Sequence, residues 1–351
     1  MALHFDFSAD QRMLSESLRR VLADKAGSGL AETAASLARH GMFGVMLDED
    51  RGGLGLGLTE ALALAIESGR AGLMYPAAET MLALPLLARL RPDAVSDVLA
   101  GRQIVTLAMS GRAKVVRDRA RLRVSGDVVA PFAMPARFVA VAVGEGKATV
   151  VDLSDSGVAV EPLVPFDAGG PLGRVRFDIL ADSDSAVTDP LALNAAILAC
   201  GEMTGAAEAC LERTVRHLRE RVQFGRPLGA NQVLRHAVAD DWLRVQGMQA
   251  ACEYAAAAHD VESGLAAHAA SVAKIYCSKA AREVAESAIH IHGGMGFTWD
   301  AGLHLPLRRI LRLAAAHGTA TAHLDALATE LFAHKFQKDD RTCNSNNIAS
   351  M

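Results

Sequence analysis

The run RVQFGRPLGANQ, Arg221 to Gln232, sets an arginine, an aromatic ring, a glycine and two glutamines at what reads as the corner between two helices. An arginine can grip a pyrophosphate with two parallel N–H donors, Phe224 offers a flat apolar face, and Gly225 permits a tight corner. Gln223 lies alongside, and Gln232 can read the polar edge of a base. The same residues would also make a plain helix corner with a solvated arginine. A second run, HIHGGMGF from His290 to Phe297, ends a long helical stretch with Gly293, Gly294 and Gly296. One glycine suffices to end a helix. Three leave a backbone that a phosphate or a flat ring can approach closely. A third run, AAAHGTA, holds His317, an imidazole that titrates near 6.5 and can take a proton at neutral pH.

These groups need a large scaffold, and 351 residues exceed one ordinary domain, so two or three units with substantial cores are expected. From Ser8, a plausible N-cap, to about Leu99 the apolar residues recur at helical spacing. The glycine cluster Gly52, Gly53, Gly55 and Gly57 has no strand before it and no ribose-binding acid at the right distance after it, so a dinucleotide loop is rejected. Between about Arg102 and Val187 the pattern shifts to short β-branched runs separated by turn residues, which predicts a compact antiparallel β unit. Helical spacing then returns in four segments: Pro190 to Val222, Asn231 to Val261, Leu265 to His292, and Leu305 to His334 with a break at His317 and Gly318. The stripe Ala273, Cys277, Ala280, Val284, Ala288 and Ile291 is narrow and made largely of small side chains, which favours a four-helix bundle. The expected fold is α+β and multidomain: an N-terminal helical domain over 1–100, a middle antiparallel β domain over 101–188, a four-helix bundle over 189–335 and a loosely held tail over 336–351.

Composition excludes several classes. A formal charge of −4 offers no basic field for nucleic acid, and no apolar run approaches the roughly 18 residues of a membrane span. A soluble, cytoplasmic protein is expected. The five cysteines lack CxxC spacing and read as helix-packing residues, so neither a disulfide nor a zinc site is expected. Nor does a histidine metal site follow: His290 and His292 point about 200° apart on a helix, and His317 and His323 do not share a face, leaving His304 without partners.

From FSADQRML and RGGLGLGLTEALALAIESG through RVQFGRPLGANQ to IHGGMGF and HGT, over nearly all of residues 5–334, the chain resembles an acyl-CoA dehydrogenase. That resemblance implies the helical, β and helical-bundle domain order and α,β-dehydrogenation of an acyl-CoA thioester. A carboxylate removes the α-proton, the β-hydrogen leaves as hydride to N5 of FAD, and an electron-transfer acceptor takes the electrons. It implies that Arg221 and Gln232, with Gln223 and Phe224 alongside, bind the pyrophosphate and adenine end of FAD across a subunit interface. Gly293 and Gly294 would meet the adenine end of a neighbour's FAD, and Thr319 would lie near the chain's own. A dimer or tetramer follows.

The chain departs from the family at the base. Counting from the Gly-Gly turn places the base at position 317, which is His317, followed by the expected Gly318 and Thr319. Some members carry the glutamate 26 residues before the motif arginine, and that position is Ala195. Ala196 stands where several relatives hold an arginine. The family's TEPxAGSD flavin loop is reduced to AMSGRA, Ala108 to Ala113, with Ser110 its nearest hydroxyl. Three readings of His317 remain: a working base, a non-catalytic residue in a subunit whose glutamate-bearing paralogue supplies the base in a hetero-tetramer, or an assistant to a flavin monooxygenase. A purely structural partner subunit is the further alternative.

Overall fold

The computed structural model describes residues 6–23, 28–118, 121–144, 146–167, 169–181 and 185–344. The first unit consists of α1 (Ala9–Ala23), α2 (Leu30–Arg39), α3 (Leu58–Ala71), α4 (Ala77–Leu90) and α5 (Val95–Leu99). Ser8 caps α1 reciprocally: its hydroxyl accepts from the Gln11 amide at 3.2 Å, while Gln11 Oε1 accepts from the Ser8 amide at 2.7 Å. The glycine cluster is a packed turn. A Cβ at Gly53 would lie 2.0 Å from the Leu47 carbonyl oxygen, and one at Gly57 would meet Asp260 Oδ2 at 2.7 Å. Asp260 itself accepts from the Leu58 and Thr59 amides and so caps α3 from a distant helix.

The middle unit contains β1 (Val105–Leu107), β2 (Ser110–Asp118), β3 (Arg121–Pro131), β4 (Phe138–Gly144), β5 (Lys147–Asp152), β6 (Val158–Leu163), β7 (Leu172–Ala181) and β8 (Val187–Thr188). They form two four-stranded sheets, in the orders β1-β4-β5-β8 and β2-β3-β7-β6. Pairing is antiparallel except that β1 runs parallel to β4, because β2 and β3 lie in the other sheet between them. Val124, Val128, Val141, Val175 and Phe177 are among the residues of the core of this unit.

The last unit contains α6 (Leu191–Glu220), the short strands β9 (Val222–Gln223) and β10 (Arg226–Pro227), α7 (Gln232–Asp260), α8 (Ala266–Ile291), α9 (His304–Ala315) and α10 (Ala320–Asn344). The fourth helical segment is thus two helices, broken at residues 316–319. Of the expected stripe on α8, Ala273, Cys277, Ala280, Val284 and Ala288 are buried, and only Ile291 is partly open. Helix α10 continues past residue 335 to Asn344, so the expected tail begins as helix; residues 345–351 lie outside the described residues. Glycines join the first unit to the bundle. A Cβ at Gly205 of α6 would sit 1.8 Å from the Ile66 carbonyl oxygen, and one at Gly69 of α3 would sit 2.0 Å from that of Glu202.

Three helices bring Cys200, Cys252 and Cys277 together, with their sulfur atoms within 4.8 Å of one another. Each is fully buried, and their convergence was hidden because they lie far apart in sequence. No described helix is long and apolar enough to cross a membrane.

Candidate active site

His317 sits in the break between α9 and α10 in a left-handed conformation, φ 54°, which is unusual for a residue with a side chain. Two hydrogen bonds hold it there. Its amide donates to the Met109 carbonyl at 2.9 Å, and its own carbonyl accepts from His323 Nε2 at 3.0 Å. The latter bond fixes the His323 tautomer: a neutral ring donating through Nε2 must accept through Nδ1, which the Ser271 hydroxyl meets at 3.1 Å. Gly318, φ 92°, completes the corner, since a Cβ there would press on His323 Nε2 at 2.8 Å. Below the break, the fully buried Lys274 of α8 donates to the carbonyls of Leu313 and Ala316 at 2.5 and 2.8 Å. It closes the last turn of α9, where free carbonyls attract a cation.

His317 lines a cleft with Met109, Ser110, Ala113, Val141, Leu191 and Ala195. The two positions at which the family places its base therefore face one space. Neither holds a carboxylate, and the described lining contains no aspartate or glutamate. Burial pushes the His317 pKa down to about 3, with the nearby Lys274, Arg312 and His323 adding to the effect. The ring is neutral at pH 7 and holds a proton weakly. Ser110 lies in the same lining, at the start of β2 rather than in a loop, so the shortened AMSGRA segment passes directly into a strand.

The second cluster occupies the other end of the bundle. Strands β9 and β10 form a hairpin whose two turn residues, Phe224 and Gly225, both have positive φ, 51° and 76°. That geometry suits a tight hairpin but strains a residue as large as phenylalanine. Phe224 is nevertheless 96% exposed, so nothing in its own chain repays the strain. Arg221, Gln223 and Gln232 are also exposed, and none of their side chains has a hydrogen bond or ion pair among the described residues. The glycine turn after α8 lies at the same end, because His292 stacks on His217 of α6 with ring centroids 4.2 Å apart. Gly293, φ 61°, and Gly294 have open space where a side chain would begin. An exposed arginine, an aromatic face, free amides and bare backbone fit the adenine and pyrophosphate end of FAD. Thr319 lies apart from this cluster, at the start of α10, where its hydroxyl accepts from the Ala322 amide at 3.2 Å.

The cleft and the hairpin cluster lie at opposite ends of α6. Ala195, in the cleft, and Arg221 are 26 residues apart along α6, about 39 Å at the helical rise.

Sequence reasoning marked His317 and Ala195 as the two family positions for the base and grouped the two nucleotide motifs. It did not find Lys274, His323 or the Met109 carbonyl, since an isolated lysine or histidine in a helical stripe carries no signal of what it will meet.

Residues 188–332 match the family model for the acyl-CoA dehydrogenase C-terminal domain. The chain is 29% identical over 328 residues to acyl-CoA dehydrogenase IpdE2 of Mycobacterium tuberculosis, covering 89% of this chain and 92% of that one. Among solved structures, the Tcur3481–Tcur3483 steroid ACAD superposes with a TM-score of 0.83 at 24% identity, over 93% of this chain and 99% of that one. The ChsE4–ChsE5 complex of Mycobacterium tuberculosis does so with 0.82 at 22%, over 93% and 98%. The chain has the fold of the acyl-CoA dehydrogenases, which are flavoprotein oxidoreductases, and its residues 188–332 match that family's C-terminal domain. Solved structures of this fold include FAD complexes.

Proposed function

We propose that this chain is the base-deficient subunit of a hetero-oligomeric, FAD-dependent acyl-CoA dehydrogenase. One observation carries the reading: the cleft where a base belongs holds His317, with a pKa near 3, beside Ala195 and no carboxylate. Abstracting the α-proton of a thioester at neutral pH calls for a base whose proton affinity matches the working pH, as a desolvated carboxylate provides. His317 falls about four units short. A glutamate-bearing paralogue would supply that group in its own cleft, where bound FAD would provide the hydride acceptor.

This chain's part is to hold the far end of its partner's cofactor. Arg221 would grip the pyrophosphate, while Phe224, Gln223 and Gln232 would frame the adenine. Gly293 and Gly294 let the backbone approach it. The separation along α6, the strained and exposed Phe224 and the unpartnered Arg221 all support a nucleotide site completed by a second subunit. The named assemblies among the solved relatives, the Tcur3481–Tcur3483 and ChsE4–ChsE5 pairs, support a mixed complex.

The test is co-expression with a glutamate-bearing paralogue. A mixed complex should form, and Arg221→Ala should lower its FAD content at least tenfold while the subunits stay associated. Retention of full FAD by an assembled Arg221→Ala complex would leave the chain a structural partner only.

A further inference from the structure

Three helices of the bundle each bring one thiol to a single place. Cys200 of α6, Cys252 of α7 and Cys277 of α8 are fully buried, and their sulfur atoms lie within 4.8 Å of one another, with those of Cys252 and Cys277 3.6 Å apart. The Thr204 hydroxyl approaches Cys252 Sγ at 3.8 Å but donates to the Cys200 carbonyl at 2.8 Å. Cys277 Sγ donates weakly to the Met248 carbonyl at 3.8 Å. No histidine, aspartate or glutamate among the described residues joins the group.

Less than one turn before Cys277 on α8 stands Lys274, also fully buried. Its ammonium has three donors, of which the Leu313 and Ala316 carbonyls take two, and no carboxylate pairs with it among the described residues. A buried cation without a counter-ion is costly. Burial lowers the Lys274 pKa, and Cys200 and Cys277 are the acids whose charge opposes that. A thiolate in the trio would supply the missing negative charge, and a neighbouring lysine favours that thiolate. Plain packing calls only for small apolar side chains. It accounts for neither the meeting of three sulfurs nor the buried cation beside them.

Thiolates that converge in a dry site select soft metal ions. Three sulfurs around one ion, each at a bond length of about 2.3 Å, stand about 4 Å apart, a spacing the trio reaches by small side-chain rotations. Zinc calls for a fourth ligand. No described side chain supplies one, and burial keeps solvent from doing so. Copper(I), soft and monovalent, binds to thiolate sulfur alone. Held by two thiolates and a thiol it carries one net negative charge, which Lys274 cancels, while the displaced thiol protons pass to solvent.

We propose that Cys200, Cys252 and Cys277 form a copper(I)-binding site inside the helical bundle. The site goes beyond the proposed partnership, because it needs neither FAD nor a second subunit.

Anaerobic competition of the reduced, full-length chain against the copper(I) chelator bathocuproine disulfonate tests it, with the chain either equilibrated in its native state or refolded in the presence of copper(I). One equivalent of copper should be retained, and zinc offered in the same way should bind at least a hundredfold more weakly. Cys200→Ala and Cys277→Ala should each lower copper affinity at least tenfold, whereas Cys210→Ala, at a buried cysteine outside the trio, should leave it unchanged. X-ray absorption on the unmutated, copper-loaded chain should show three sulfur neighbours at about 2.3 Å, a check that needs no variant to fold. Loss of copper to the chelator by both routes, fewer than three sulfur neighbours, zinc held as tightly as copper, or affinity undiminished in Cys277→Ala would overturn the proposal.

Discussion

A histidine whose conjugate acid forms only near pH 3 takes an α-proton poorly, whatever its position in the fold. Position 317 was legible by counting from the glycine turn, and so was the emptiness of Ala195. The weakness of the base was not, because it comes from burial and from Lys274 and Arg312, which reach His317 from other helices. The same depression sets a pH dependence. Between about pH 3 and 6.5 the unfolded chain protonates this ring and the folded chain does not. Stability contributed by His317 is therefore present above pH 6.5 and lost as pH falls towards 3, by up to about 1.4 kcal/mol per unit. Glu202 has the opposite sign: raised from 4.5 to about 7, it contributes stability below 4.5 that is lost as pH rises through 7. Comparing His317→Gln with the unmutated chain cancels Glu202. In urea melts the variant should gain about 1–2 kcal/mol relative to the parent on going from about pH 7.5 to about pH 5. An offset unchanged between those two conditions would mean that the imidazole is not excluded from protonation.

The elements were mostly readable from periodicity. The α8 stripe, the break in the last helical segment and the β-branched runs all have their counterparts, because burial on one face imposes a period on the sequence. Strand β2 escaped notice. Its SGRAKVVRD is charged and half exposed, and it pairs with β3 by backbone bonds that side-chain type does not announce. The close crossing of α3 on α6 escaped too, since Gly69 and Gly205 lie in helices where glycine is ordinarily only a weakness. Gly205→Ala should lower unfolding free energy by about 1–3 kcal/mol, because its methyl group would meet the Ile66 carbonyl oxygen. Gly294→Ala, with open space at its Cβ, should leave stability within about 0.5 kcal/mol. Chemical denaturation of the two variants side by side checks the contrast. Equal losses would mean that crowding at the α3–α6 crossing is not what demands glycine.

At the scale of the whole molecule, the proposed nucleotide site is one that a second subunit would complete. The hairpin cluster and the cleft lie at opposite ends of α6. The resemblance to a known family suggested such sharing, and the length of α6 is consistent with it. In a mixed complex, Gly294→Ala should reduce FAD retention on gel filtration several-fold despite its neutral effect on folding. Undiminished retention would remove the glycine turn from the cofactor site.

Flavin bleaching by an acyl-CoA under anaerobic conditions tests the division of labour most directly. It should be measured on the isolated chain, on the complex with a glutamate-bearing paralogue, and on complexes carrying either His317→Gln or a Glu→Gln change at the partner's base. The expected result is no bleaching by the isolated chain, bleaching by the complex, retention with His317→Gln and abolition when the partner's glutamate is replaced. Bleaching by the isolated chain that His317→Gln abolishes would contradict the assignment and make this chain a dehydrogenase in its own right.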